Sequence, residues 1–574
     1  MYSKQNPETQ VLSTDLLIIG GGMAGVMAAI KAGEKGAKVL VVEKAVTGWA
    51  GEVPTTGGYS AIIPPGYNLD DFVQWAAENG DYLSNQDWSR AFGGDLYKTI
   101  MEVAGWGLPF HKEGNEVKIF SKMKHYANVV FYPKTFMLKL KKVAVTKGVT
   151  FLDKVFVSDL IVQDGAVSGA VGIGVIDGKF YLMKSKGVII ATGGVRSKRP
   201  RGFSWCNGEG VRMAYNAGAE LTNAEFLNHY IPFSKEWTAS TRQAIYYFYV
   251  NNKGEKVVVK HFPELATGLT TRGQMEDQIK ITEAVAREIM AGNGPVRLDT
   301  STGTPEELAV ARGTYADYHI VRHHKLLPDP WELPRVKAGI DIEKEKIEME
   351  PVFIGGQGTI RVDLDCRTSL GRLWAAGDAC AVGCSWAGAR TTGTYPAVGI
   401  PFGMVSGFRA GVSIGTFVRE ATEPRVDLSQ VERSKEKLYA PLSREKGPNY
   451  RDLIVAVHGV TMPMKYNFFR RGDRLKEAIE KIEGIKDRLK EAPARDSHEL
   501  VKLLETESLA VSAEMTFRAA LMRTESRGSH KREDFPKRDD DNWLKWIVIK
   551  RKDDHMELRT EPVPLERYPF KPKK

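Results

Sequence analysis

The chain has 574 residues, more than one hydrophobic core usually organises, so two or three domains are expected. Its 42% hydrophobic and 26% charged residues are ordinary for a soluble globular protein. The net charge of +10 comes from basic residues interleaved with acids, as in Lys531-Arg-Glu-Asp and Lys537-Arg-Asp-Asp-Asp, which reads as a solvated face and excludes a nucleic-acid stripe.

The first apolar run, Leu16 to Ile30, is too short and too broken by glycine to span a membrane. Met1 to Thr14 is polar and carries no signal-peptide pattern, so a cytoplasmic address without a membrane span is expected. The four cysteines, Cys206, Cys366, Cys380 and Cys384, contain no Cys-x-x-Cys pair. That argues against a disulfide framework and against an iron–sulfur cluster held by this chain. No metal site is expected.

In chain order, Asp15-Leu-Leu-Ile-Ile-Gly20-Gly-Gly22-Met-Ala24-Gly25 reads as a buried strand turning tightly into a helix. Gly20 permits the turn, Gly22 lets the backbone approach a pyrophosphate, and Gly25 lets helix and strand pack closely. The helix N-terminus offers free N–H groups and positive dipole. Val39-Leu-Val-Val-Glu43 is the second strand, and its carboxylate stands where ribose hydroxyls are held. Strand, turn, helix, strand and acid together predict a bound dinucleotide.

Residues 46–66 read as a loop over that cofactor. Helices follow around Leu69 to Glu78 and Lys98 to Gly107. Val149 to Val162, Ala166 to Val175 and Phe180 to Leu182 alternate and suggest a small antiparallel insertion. Gly187-Val-Ile-Ile-Ala-Thr192-Gly193-Gly is another buried strand ending in glycines. The segment from about Pro232 to Glu350 is irregular, with one amphipathic helix at Thr282 to Met290. Dinucleotide-domain character returns at Gly371-Arg-Leu-Trp-Ala-Ala-Gly-Asp378, followed by a glycine-spaced helix, Val398 to Phe417. The 3.6-residue period then recurs over Ser429–Tyr439, Asp473–Leu489 and His498–Arg523.

The N-terminal fingerprint, Ala191-Thr-Gly-Gly194 and Ala376-Gly-Asp378 together resemble the flavoprotein subunits of succinate dehydrogenase, fumarate reductase and L-aspartate oxidase. Glu525-Ser-Arg-Gly-Ser-His530 through Trp543 is similar to that family's C-terminal signature, and Phe469-Arg470 to its helical domain. The resemblance implies an α/β fold: a doubly wound FAD-binding domain (1–231 and 351–424), an inserted α+β capping domain (232–350), a helical domain (425–534) and an extended tail (535–574).

It also implies FAD as cofactor. Gly20, Gly22, Ala24 and Gly25 would hold the pyrophosphate, and Glu43 and Lys44 would lie at the adenosine end. Thr56, Gly57 and Gly58 would lie over the flavin beside Thr192 and Gly193, and Asp378 would hold the ribityl chain. Glu209 stands where the family usually has Asp, and Val398 would lie where a helix N-terminus meets the flavin.

Several family members attach FAD to a histidine, but here Gly51 stands at about that place, so FAD is expected to be non-covalent. Tyr230 and Pro351 stand where the family has its dicarboxylate histidines. Arg390, in Gly-Ala-Arg-Thr-Thr-Gly, resembles a substrate arginine. Arg272 offers the proton-donor turn, with Gln278 as the ungapped alternative. Arg322-His-His-Lys325 reads as a surface basic cluster, and His530 as a structural residue packing the tail.

The implied activity is two-electron oxidation or reduction of a small anionic substrate. The implied partner is a separate iron–sulfur or other electron-transfer subunit. The alternatives are sulfur chemistry like that of adenylylsulfate reductase, which Glu220 to Asn228 and Ala291 to Val296 resemble, a non-catalytic flavin relay, or an oxidase.

Overall fold

A computed structural model describes residues 7–55, 58–122, 124–196, 206–234, 244–269, 278–318, 339–356, 358–380, 388–389 and 399–573. Its centre is one sheet in the strand order Thr150–Asp153, Val39–Glu43, Thr9–Ile19, Phe180–Ile190, Ala166–Gly174, Val155–Gln163. The first four strands are parallel, as expected where a crossover carries the chain back over a buried sheet. Leu16 to Ile19 are almost without exposure, which is why this stretch is continuously apolar rather than alternating.

The antiparallel insertion expected at 149–182 is absent as a separate unit. Thr150–Asp153 extends the parallel edge of the main sheet, and Phe180 begins an eleven-residue strand pairing with Thr9–Ile19 along its whole length. Only the hairpin of Val155–Gln163 and Ala166–Gly174 is antiparallel, joined to the first half of Phe180–Ile190. The second half of that strand pairs in parallel with Leu373–Ala375, which returns the chain to the sheet from nearly two hundred residues away.

Two helices, Met23–Gly33 and Gly399–Glu420, pack as a pair against this sheet. Their contact is built from small residues one turn apart. A Cβ on Gly407 would lie 2.4 Å from the Ala24 carbonyl oxygen, and one on Gly411 2.4 Å from that of Ala28. The glycine spacing after 398 therefore exists so that the second helix can reach the first.

A second sheet joins Val195–Arg196, Ile347–Gly356, Val296–Leu298 and Tyr249–Val250, with His229–Ser234 also on Ile347–Gly356. It has its own core around Phe248, Val285, Leu298 and Ile347. C-terminal to these lie long helices, including Tyr450–Thr461, Gly472–Glu491 and Ser497–Met522, with Asn449 and Asp496 accepting first-turn N–H bonds. The tail is not simply extended: Lys545–Lys552 and His555–Pro562 form a hairpin that adds to Leu221–Thr222. Among the described residues no helix is long and apolar enough to cross a membrane.

Candidate functional site

The three glycines of the first turn do different work. Gly20 has φ +111°, and a Cβ on it would lie 2.4 Å from the Ala191 carbonyl oxygen. A Cβ on Gly25 would lie 2.0 Å from the Gly20 oxygen, so Gly25 lets the helix sit on the strand end. Gly22 is unlike both. Its backbone, φ −77° and ψ −171°, suits any residue, and a Cβ there would meet no heavy atom of the described residues within 4 Å. Among the described residues no side chain caps the helix it begins, so its first-turn amides face a space that no described residue fills.

Around this space the fold gathers distant segments. Glu43, 8% exposed, accepts from the Gly21 N–H at 2.8 Å and the Ala45 N–H at 2.9 Å. Gly377, φ +66°, brings Asp378 against the same helix, since a Cβ on it would lie 2.7 Å from Ala24 Cβ. Gly193 has φ +76°, and Cys206 Sγ would lie 2.5 Å from a Cβ there. Thr192 Oγ1 is buried with no hydrogen-bond partner among the described residues. Gly58, φ +73°, sits tight against Phe131, whose N–H donates to its carbonyl.

Two charge groups flank the space. Lys44 pairs with Glu209 and, at 3.0 Å, with Glu505 of the Ser497–Met522 helix. Burial opposes the Lys44 charge, but Glu209 and Glu505 more than offset it and hold its pKa above the usual lysine value. Glu209 also accepts from the Asn207 N–H at 2.8 Å. On the other side Arg196 Nε donates to Glu52 at 2.8 Å, and its Nη2 lies 3.6 Å from Asp378. Burial acts against this guanidinium, and Glu52 and Asp378 reverse the effect and raise its pKa.

Thr56, Gly57, Val398 and both proposed catalytic arginines, Arg272 and Arg390, lie outside the described residues, as do Arg322 to Lys325. The approach to Arg390 is described. Ala389 N–H donates to the Gly80 oxygen at 2.9 Å, and the Ala389 oxygen accepts from Ser529 N–H at 3.1 Å. Asn223 Nδ2 donates to the Gly388 oxygen at 3.2 Å. Gly388 and Ala389 are thus held by Gly80, Asn223 and the C-terminal Ser529.

Tyr230 and Pro351 lie on adjacent, paired strands. The Tyr230 hydroxyl faces the Thr461 and Met462 carbonyl oxygens, each at 3.1 Å, and its ring packs on Phe353 and Phe468. Burial pushes its pKa up, with Arg470 opposing. Its proton is committed to backbone. Gln278, the ungapped alternative to Arg272, begins the helix Gln278–Met290 and is buried.

The C-terminal signature is a buried ionic cluster. Arg523 pairs with Glu225 at 2.9 Å and Glu525 at 2.8 Å, while Arg527 pairs with Glu525 at 2.6 Å and Asp540 at 2.8 Å. Arg470 Nη1 lies 2.6 Å from His530 Nδ1. A guanidinium can only donate, so Nδ1 accepts and Nε2 carries the ring proton toward the Arg523 carbonyl at 3.2 Å. Burial, then Arg470 and Arg523, hold the His530 pKa far below the usual histidine value. His530 is a neutral packing residue between tail and helices, as its motif implied.

Known proteins decide what kind of site this is. The FAD binding domain family matches residues 15–393, and the family described as fumarate reductase flavoprotein C-term matches 458–574. The chain belongs to this flavoprotein family.

It is 26% identical to the fumarate reductase flavoprotein subunit of Mycobacterium tuberculosis, over 97% of this chain and 98% of that protein. It is 25% identical to the succinate dehydrogenase flavoprotein subunit of Coxiella burnetii, over 98% and 99%. Its fold is like that of an Escherichia coli quinol fumarate reductase variant, with TM-score 0.83 and 23% identity over 98% of this chain and 99% of that one. Adenylylsulfate reductase of Archaeoglobus fulgidus shares the fold at TM-score 0.76 and 22% identity, over 99% and 100%.

The protein is therefore an FAD-dependent oxidoreductase of the fumarate reductase/succinate dehydrogenase flavoprotein type. The residues at the open turn fit that cofactor. An uncapped helix start beside Gly22 suits a pyrophosphate, and Thr192, whose hydroxyl is orphaned, follows the neighbouring strand Phe180–Ile190, with its backbone beside Gly20. Glu52, Arg196 and Glu505 escaped sequence reading. Arg196 follows a glycine motif but belongs to none, and Glu505 is one acid among many on a charged helix.

Proposed function

We propose that this chain is the cytoplasmic catalytic flavoprotein of a two-electron oxidoreductase acting on a small anionic substrate, with FAD held non-covalently. In this reading an iron–sulfur subunit exchanges the electrons. Supporting it is the open, uncapped cradle at Gly22, placed by the fold against Glu43 and Asp378.

When bound, FAD supplies the hydride chemistry of the family. The chain's own residues then have separable tasks. Gly20, Gly22, Ala24 and Gly25 would receive the pyrophosphate on backbone N–H groups, and Glu43 would accept from the adenosine ribose in place of its present intramolecular bonds. Lys44 and Glu209 would bound that end, and Asp378 would face the ribityl hydroxyls. Thr56 to Gly58, Thr192, Gly193 and Val398 would border the flavin ring.

The substrate would lie between this domain and the inserted one (232–350), oriented by Arg390 and Arg272. An arginine side chain loses a proton reluctantly, so proton delivery from Arg272 would need a relay to solvent. Gly388 and Ala389, the residues just before Arg390 in the chain, are held by Asn223 and Ser529.

A second reading, sulfur chemistry of the adenylylsulfate reductase kind, is favoured by Tyr230 and Pro351. The Tyr230 proton is tied to two carbonyls and Pro351 has no titratable group, so neither can serve a dicarboxylate. The deciding experiment is anaerobic reoxidation of the dye-reduced, FAD-loaded chain. Reoxidation by fumarate or another enoate supports the first reading. Bleaching of the oxidised flavin by sulfite, without enoate turnover, supports the second. If neither occurs, an active site for small anions is refuted and an electron relay or an oxidase takes its place; oxygen uptake with peroxide release marks the oxidase.

A further inference from the structure

The segment 48–58 contains no histidine, cysteine or tyrosine that could bond covalently to a cofactor, so whatever holds FAD there is non-covalent. The part of that segment described up to Thr55 passes the cradle at Gly51. Gly51 has φ +82°, and a Cβ on it would lie 3.9 Å from Gly22 Cα, the nearest protein atom. The next side chain, Glu52, reaches Arg196 on the strand that leads into the second sheet.

Two of the three Arg196 side-chain nitrogens engage the same carboxylate, Nε at 2.8 Å and Nη2 at 3.4 Å, and the side chain is only 9% exposed. The same guanidinium lies 3.6 Å from Asp378. One buried cation thus ties the segment above Gly22 to the acid proposed to face the ribityl chain. Lifting that segment means separating a bidentate pair and leaving a guanidinium in a poorly solvated place, which is costly.

We propose that the Glu52–Arg196 pair is a clasp over the cofactor, whose opening sets the rate at which FAD leaves. This rests on FAD lying from Gly22 to Asp378. Glu52 and Arg196 act on the cofactor by holding the chain across its exit, and are positioning residues rather than catalytic ones. The pair is also a link between the first strand of the second sheet and the segment at Gly51.

The test is FAD release from the loaded full-length chain, followed by recovery of FAD fluorescence on dilution. Glu52→Gln is nearly isosteric at a position 30% exposed, so it should fold. It and Arg196→Gln are expected to release FAD on the order of tenfold faster or more, since even ~1.4 kcal/mol of a lost buried pair is a factor of ten. Arg196→Lys should recover part of the slow release. The melting temperature of the FAD-free protein should stay within about 3 °C of the unaltered chain.

Release unchanged within about threefold in both glutamine variants overturns the clasp. So does faster release accompanied by a fall of more than about 3 °C in the FAD-free melting temperature, which would make the pair chiefly a fold contact. The underlying cofactor reading fails separately, if Gly22→Val still binds FAD as tightly as the unaltered chain.

Discussion

Valine at position 22 is the sharpest probe of the cradle, because the protein itself gives no reason for glycine there. An added Cβ meets no atom of the described residues within 4 Å, and φ −77° with ψ −171° is extended backbone that a β-branched residue adopts readily. The cost to folding is that of a poor helix N-cap, about 1 kcal/mol or less. The cost to FAD is larger, because the side chain fills the space in which a pyrophosphate would meet the first-turn amides. Loss of two charge-assisted hydrogen bonds, at about 1.5–3 kcal/mol each, predicts ~3–6 kcal/mol and a dissociation constant raised about 10²- to 10⁴-fold. Quenching of FAD fluorescence on titration measures the affinity, and thermal melting of the FAD-free protein measures the fold. Gly25→Ala is the contrasting control: its Cβ would strike the Gly20 oxygen at 2.0 Å, so stability falls before binding is tested. A Gly22→Val protein that binds FAD within about threefold of the unaltered chain refutes the reasoning.

Glu525→Ala, which leaves Arg523 and Arg527 short of a buried partner, is expected to lower unfolding free energy by about 3–5 kcal/mol in urea titration. Gly411→Val pushes the two sheet-packed helices apart, because even its Cβ would lie 2.4 Å from the Ala28 oxygen; a loss of about 3 kcal/mol or more should appear in the same assay. His530 predicts a pH effect of definite sign. Its folded pKa is depressed, so below the unfolded value near ~6.5 the unfolded chain binds a proton that the native state refuses, and stability falls as pH drops. Between about pH 6 and 5 the slope from this residue approaches ~1.4 kcal/mol per pH unit, and His530→Gln should remove that increment.

Much of this arrangement could be read locally. The helices expected at Asp473–Leu489 and His498–Arg523 are found at Gly472–Glu491 and Ser497–Met522, because a 3.6-residue apolar period and the Asp496 cap both act within a few residues. The alternation at 149–182 correctly signalled strands but not their sheet. A period of two says that a strand has two unlike faces, and says nothing about which edge it joins. The same limit applies to the tail, where the apolar run Trp546 to Ile549 is legible, while the pairing of Val548 and Ile549 with Thr222 and Leu221 depends on a partner more than three hundred residues away.

By itself the sequence determined the family, the cofactor and the glycine turn between the first strand and helix. Gly20, Gly22 and Gly25 lie within one strand–helix junction, where steric demands act between neighbours and leave a recognisable spacing. Only the tertiary structure decided what surrounds that turn. Arg196 reaches Glu52 across 144 residues, Lys44 reaches Glu505 across 461, and Arg523 reaches Glu225 across 298. Such ion pairs have no sequence period, because a charge is drawn to whichever opposite charge the packed backbone brings within a few ångströms while water is excluded.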